Sequence, residues 1–140
     1  MGNYTVKVDV EYLGDLHCKA THGPSGHSIM TDAPVDNQGK GEYFSPTDLA
    51  GTAMATCVVT IMGIIAKNHD IDIDGLKVSV EKEMKNEPYR MIKRLEVIFD
   101  FPRKLSDKEF KLLSAAVDKC PITRSLHPDI VIDRTFNFPD

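Results

Sequence analysis

Hydrophobic positions along this chain alternate with polar ones over several stretches, and the alternation is broken by an uncharged run from Leu49 to Ala66. Ser45 ahead of the run is a favourable N-cap, Pro46 suits the first helical position, and Asp48 puts a carboxylate in the first turn. A helix is therefore predicted from Ser45 to Lys67. It is apolar on every side, which fits the centre of a domain or a membrane span. Roughly 18 residues at ~1.5 Å each just match a hydrocarbon core of ~30 Å. Gly51, Thr52, Thr56, Thr60 and Gly63 dilute the run, however, and Asp48 and Lys67 hold it to the minimum length. The expectation is a central helix whose small residues let strands and a partner helix come close, with no membrane partner.

Before this helix, Tyr4 to Tyr12 alternates with a period of two, the pattern of a half-buried strand. Gly14 marks a turn, Leu16 to Thr21 reads as a second strand, Gly-Pro-Ser-Gly at residues 23 to 26 as another turn, and His27 to Thr31 as a short third strand. Residues 32 to 43, rich in Asp, Pro, Gly and Asn, form a loop. After the helix, Leu76 to Met84 and Met91 to Phe101 alternate throughout and predict two long antiparallel strands. Ser106 followed three residues later by Glu109 is a capping box, and Phe110, Leu113, Ala116 and Val117 fall on one helical face. An amphipathic helix should run to about Lys119, stop at Cys120 and Pro121, and give way to a helical turn through Ile122 to Leu126. Ile130 to Phe138 supplies the last strand.

This order predicts the α+β class, with antiparallel sheets packed around a long central helix and residues 1–140 as one domain. One sheet and one amphipathic helix scarcely cover a helix that is apolar all round. A homodimer burying the central helices between two subunits is expected on that ground.

Composition narrows the classes of function. The 140 residues, 41% hydrophobic, suffice for one domain with an ordinary core. A net charge of -4 and no block of Lys or Arg argue against a nucleic-acid partner, since phosphate binding needs a concentrated basic face. No basic, apolar and small-residue leader opens the chain, so secretion is not signalled. Three cysteines spread far apart do not read as a disulfide framework. A reducing cytoplasm is the expected location, where paired cysteines point to chemistry or metal.

Cys57 shares its helical face with Ala50, Ala53, Met54, Thr60, Ile61 and Ile64. Burial among such residues raises a thiol's pKa and leaves it inert unless a cation or hydrogen-bond donor is brought in. It reads either as core packing or as a nucleophile in need of help. Cys120 precedes Pro121 at the start of a predicted helical turn, where free N–H groups favour a thiolate, and Lys119 and Arg124 are close in sequence. Its other reading is a small residue that fits a helix junction. Cys18 has His17, His22 and His27 nearby, but their spacing matches no closed four-ligand pattern and neighbours in a strand point to opposite faces. No metal is expected.

The segments FSPTDLAGTAMATC, ending in Cys57, and DKCPITRSL, around Cys120, together with the order of elements, resemble the OsmC/Ohr family of thiol-dependent hydroperoxide reductases. The most specific parts are Ser45-Pro46 with Leu49 ahead of Cys57, and Cys-Pro-hydrophobic-Ser/Thr from Cys120 to Thr123. The resemblance implies an OsmC-like fold in an intertwined homodimer with two active sites at the subunit interface. It makes Cys57 the peroxidatic residue, attacking the distal peroxide oxygen, and Cys120 the resolving residue, condensing with the sulfenic acid to a disulfide. No bound cofactor is implied; an external dithiol, small or of the lipoyl kind, restores the pair by exchange. An organic hydroperoxide would lay its alkyl body on the apolar face around Cys57, with Met54, Ile61 and Ile64 as substrate-binding residues.

Two positions depart from the hydroperoxide-resistance branch, which places a glutamate ten residues before its reactive cysteine and an arginine in the N-terminal strands. Here the first position is Thr47, with Asp48 next, and no arginine precedes Arg90. The chain is thus more similar to the general OsmC-like branch. Asp48 stands nine residues from Cys57, ~13 Å along the helix and on nearly the opposite face, so as an activating carboxylate it would have to act across a dimer. Arg124, Arg90, Arg94 or Lys19 could supply a cation, Arg124 being the one nearest Cys120 in sequence. Two functions of different class follow. One is a peroxidase working through Cys57 and Cys120; the other is a catalytically weak OsmC-like dimer that binds a small hydrophobic ligand.

Overall fold

A computed structural model describes residues 2–140, which form two compact units, one ending at Leu49 and one from Ala50 to Asp140. In the first, β1 (Val8–Gly14), β2 (His17–His22) and β3 (Ser28–Asp32) form an antiparallel meander in the order β1-β2-β3. The alternation beginning at Tyr4 outruns its partner: the ladder starts where Val8 faces His22. Gly14, Asp15 and Leu16 turn the chain with φ of 87°, 55° and 63°, and the register shifts between Tyr12 and Gly14. Three successive residues in that region are easiest to begin with a glycine, which has no Cβ to clash. A short 3-10 turn, Val35–Asn37, interrupts the predicted loop.

Helix α1 (Pro46–Asn68) begins in the first unit and runs through the second, within a residue of its predicted end. Gly51, Met54, Ala55, Val58, Met62 and Ala66 are buried, whereas Ala53, Thr56, Thr60 and Ile64 are exposed. The helix is apolar all round but covered on one side only. A Cβ on Gly51 would lie 3.2 Å from Leu95 Cδ2 and 3.7 Å from Val80 Cγ2, so this glycine lets the helix sit close to the sheet beneath it.

That sheet has the order β4 (Lys77–Lys85), β5 (Met91–Asp100), β6 (Val131–Asn137). β4 and β5 pair antiparallel, with the register stepping from Glu83–Arg94 to Met84–Ile92. The step leaves Lys93 over as a bulge, and so Ile92 and Leu95, three residues apart, both reach the core. The expectation of wholly antiparallel sheets is corrected at β6, which pairs parallel to β5. Three helices between the two strands carry the chain back to the starting end of β5, as parallel pairing requires.

Those helices are α2 (Asp107–Ser114), α3 (Ala116–Lys119) and α4 (Pro121–Ser125). The single helix predicted to Lys119 is thus divided at Ala115, where Asp118 N–H bonds to the Ala115 carbonyl at 3.2 Å in a tightened turn. Ser106 and Glu109 form the predicted capping box. Phe99 and Phe136 face each other in the β5–β6 register and stack at 4.9 Å, and Phe110 meets Phe136 edge-on at 5.0 Å, fixing α2 to the sheet. Leu113, Ala116, Val117 and Cys120 complete this side of the core.

Candidate active site

Cys57 sits mid-way along α1, half-buried, and Cys120 lies behind it with no accessible surface at all. Both are free thiols, and each influences the other's ionisation. The chain brings Cys120 there by stopping α3 at Lys119 and restarting at Pro121: Cys120 takes extended dihedrals (φ -68°, ψ 121°) and becomes the N-cap of α4. Its Sγ accepts the Thr123 N–H at 3.4 Å and lies 4.0 Å from the Met54 carbonyl oxygen on α1.

The two thiols differ in what surrounds them. Burial pushes the Cys57 thiol above its ordinary pKa, the neighbouring Cys120 thiol adds to this, and the Ile122 amide works against it. Burial also pushes Cys120 up, but the nearby Thr123, Cys57 and Ile122 amide prevail and leave it below its ordinary value. From sequence, Thr123 stands out only as part of the Cys120 to Thr123 pattern. The available signal was a cysteine at an N-cap position with a hydroxyl residue three places on, the spacing of a cap.

Of the other residues singled out from sequence, few join this pair. Asp48 is occupied locally: its Oδ2 accepts the Ser45 N–H at 2.9 Å while its own N–H donates to Ser45 Oγ at 3.0 Å, a reciprocal cap at the start of α1. Arg124 is exposed and its Nε donates to the Asp118 carbonyl at 3.2 Å. Arg94 pairs with Asp133 and with Glu96, the latter at 2.8 Å, Arg90 donates to Asn86, and Lys19 is exposed. The groups that set Cys57's ionisation are burial, Cys120 and a backbone amide, not a cation. Met54 is wholly enclosed in the core, because it lies on the covered side of α1, and so offers no face to a substrate; Ile61 is half-buried and Ile64 is 54% exposed.

In the first unit, His17 Nε2 lies 3.5 Å from both Asp32 Oδ2 and Glu42 Oε2, so it faces carboxylates. The Glu42 N–H bond to Asp32 Oδ2 at 3.0 Å, aided by His17, holds the buried Asp32 carboxyl below its ordinary range. No group of three or more His, Cys, Asp or Glu side chains suited to a metal ion occurs among the described residues.

The site is thus a buried thiol and a partly exposed one on an α+β scaffold with a long central helix. The family model described as OsmC-like protein matches residues 39–134, and the chain belongs to that family. A candidate osmotic-stress-induced and detoxification response protein of Psychrobacter arcticus is 43% identical, with a TM-score of 0.87 over 97% of each chain. Two more distant structures share the fold. The organic hydroperoxide resistance protein OsmC of Legionella pneumophila is 14% identical (TM-score 0.77; 98% of this chain, 99% of that one). The organic hydroperoxide resistance protein OhrB of Bacillus subtilis is 16% identical (TM-score 0.73; 95% and 98%). A comparison with proteins of curated function finds no match.

Proposed function

We propose that the protein is a thiol peroxidase that reduces organic hydroperoxides through Cys57 and Cys120, within the peroxide-resistance and redox role of its family. The observation that carries this reading is a pair of free thiols at one part of the core, Cys57 partly exposed and packed against the cluster that encloses Cys120. Only Cys57 can meet a peroxide without unfolding. Its thiolate attacks the distal oxygen, an alcohol leaves, and the sulfenic acid formed is attacked by Cys120 to give a disulfide and water. A small or lipoyl-type dithiol then reduces the disulfide by exchange.

The working unit in this reading is one OsmC-like domain per subunit in a cytoplasmic, intertwined homodimer. The bare stripe of α1 at Ala53, Thr56, Thr60 and Ile64, and the exposed Val8, Val10, Tyr12 and Ile29 of the meander, are the surfaces a second copy would cover. Ile64→Arg should then yield monomers in sedimentation; a monomeric parent protein would remove the dimer from the proposal.

The decisive assay mixes reduced protein with one equivalent of an alkyl hydroperoxide and takes its mass. Loss of two hydrogens with a Cys57–Cys120 peptide in the digest is expected, and no peroxide consumption with any of several dithiols would refute the reading. A binding role is favoured by one feature, the open groove of ≈ 350 Å³ lined by Ala55, Thr56, Val59, Thr60, Leu76 and Val78 beside α1. If binding were the whole function, a hydrophobic ligand would bind equally to the parent and to Cys57→Ser.

A further inference from the structure

The loop between β3 and α1, residues 33 to 44, is tied to the meander by one buried carboxylate, and both lie within the first unit. Asp32 closes β3 and is 1% exposed; its Oδ2 accepts the Glu42 N–H at 3.0 Å while its own N–H donates to the Phe44 carbonyl at 3.1 Å. The two limbs of the loop meet tightly. The Gly39 N–H bonds to the Pro34 carbonyl at 3.0 Å, and a Cβ on Gly39 would lie only 1.7 Å from the Ala33 oxygen. His17 faces Asp32 across the β2–β3 ladder and brings its Nε2 to the same place, 3.5 Å from Asp32 Oδ2 and 3.5 Å from Glu42 Oε2. Both His17 Nε2 and Asp32 Oδ1 are buried, yet neither has a hydrogen-bond partner among the described residues. The Tyr43 ring stands edge-on to the imidazole at 5.7 Å.

A buried nitrogen and a buried oxygen without partners cost stability until something completes them. At 3.5 Å a neutral imidazole gains little from two carboxylates, whereas a cation between them is strongly favoured. Charge-assisted hydrogen bonds close to ~2.7–2.9 Å, so one added proton would take up the slack. We propose that His17 is a proton-operated latch on this loop: as a cation it draws in the carboxylates of Asp32 and Glu42 and fastens residues 33 to 44 to β2 and β3, and when it loses that charge the loop is released to open.

Histidine is the side chain that ordinarily changes its charge between about pH 5 and 8. Asp32 remains an anion over that range, because the Glu42 amide, aided by His17, holds its carboxyl below its ordinary value. The remaining charges beside the cluster answer each other: Lys40 of the loop reaches Asp15 of the β1–β2 turn at 3.1 Å. The closed loop binds the proton that makes the imidazole a cation more tightly than the open loop does. Closure is therefore favoured at low pH and lost as pH rises through the titration. What the latch holds is the approach to α1, since the loop runs directly into Ser45 and Asp48, the reciprocal cap of that helix.

Amide hydrogen exchange of a peptide covering residues 33 to 44, corrected for the chemical exchange rate at each pH, reads the opening of the loop. Between about pH 8 and about pH 5.5, protection in the parent protein should rise about fivefold, the scale of a partly exposed ion pair. His17→Gln should abolish the rise, and Glu42→Gln, which leaves Asp32 in place, should keep only part of it. A parent loop with no such rise, a full rise in His17→Gln, or a full rise in Glu42→Gln overturns the proposal. So does a rise shared by residues 77 to 100, because the whole fold and not the loop would then be responding. No hydroperoxide enters the experiment, so the latch and the peroxidase reading stand or fall separately.

Discussion

Both cysteine-bearing segments start from a reciprocal cap. Ser45 and Asp48 exchange bonds of 2.9 and 3.0 Å at the head of α1, and Ser106 and Glu109 exchange bonds of 2.9 and 3.1 Å at the head of α2. Beyond the caps the two differ. α1 runs 23 residues without a break, so Cys57 gains burial but little hydrogen bonding for its sulfur. The α2–α4 segment breaks at Ala115 and again at Cys120, and the second break frees the Thr123 amide for a sulfur deep in the core. Continuity gives a helix its packing, and interruption frees backbone amides for other acceptors.

The sharpest way to break this contrast is to remove each sulfur in turn. Cys57→Ser should lower hydroperoxide turnover by about a thousandfold or more, since the attacking atom is gone. Cys120→Ser should still make one sulfenic acid per subunit and then stall, which a dimedone-type label and mass measurement would reveal. Equal single-turnover yields from both variants would erase the division of labour. Next in size are the packing residues on either side of the pair. Met62→Ala on α1 and Leu113→Ala on α2, both fully buried, should each cost roughly 2–5 kcal/mol in a urea melt. Only Leu113→Ala should speed maleimide labelling of Cys120 more than that of Cys57, because it loosens the interrupted segment. Labelling that rises equally in both variants would mean the two segments open as one.

How far the sequence could have led is seen at these same places. The uncharged run with Ser45, Pro46 and Asp48 defined α1 almost to the residue, and the Ser106 to Glu109 spacing defined α2, because caps and periodicity are local. The break at Ala115 and the parallel pairing of β6 were not legible: Ala115 is a good helix former, and strand direction depends on where the intervening helices pack. The two cysteines could be singled out by their motifs, but not the exposure that separates them, which comes from the sheet covering one side of α1. Asp48 has a local use that the sequence reading did not give it. A carboxylate three residues after a serine serves as a cap partner in the same way as Glu109, and this local use is met before any distant one.

The caps themselves offer the smaller tests. Asp48→Ala should lower stability by about 1 kcal/mol, as loss of a cap does, measured by the urea midpoint. A fall in the rate of Cys57 oxidation with a displaced pH profile would instead show that the carboxylate acts on the thiol. Glu109 allows the subtlest test. The Arg103 guanidinium, its Nη2 2.8 Å from Glu109 Oε2, and the Ser106 amide hold this carboxyl down from its ordinary 4.5 to about 2. A carboxyl depressed in the folded state stabilises the fold above its unfolded pKa and loses that contribution as pH falls through its folded one. Stability should therefore decline between pH 4.5 and about 2, and Glu109→Gln should flatten that decline. Both side chains are partly open to water, at 38% for Arg103 and 25% for Glu109, so the effect should be small and should shrink further in high salt. A carboxyl carbon of Glu109 that titrates in the folded protein at its ordinary value, followed by NMR, would show that this cap holds by geometry alone and that the two helix starts differ more than their hydrogen bonds suggest.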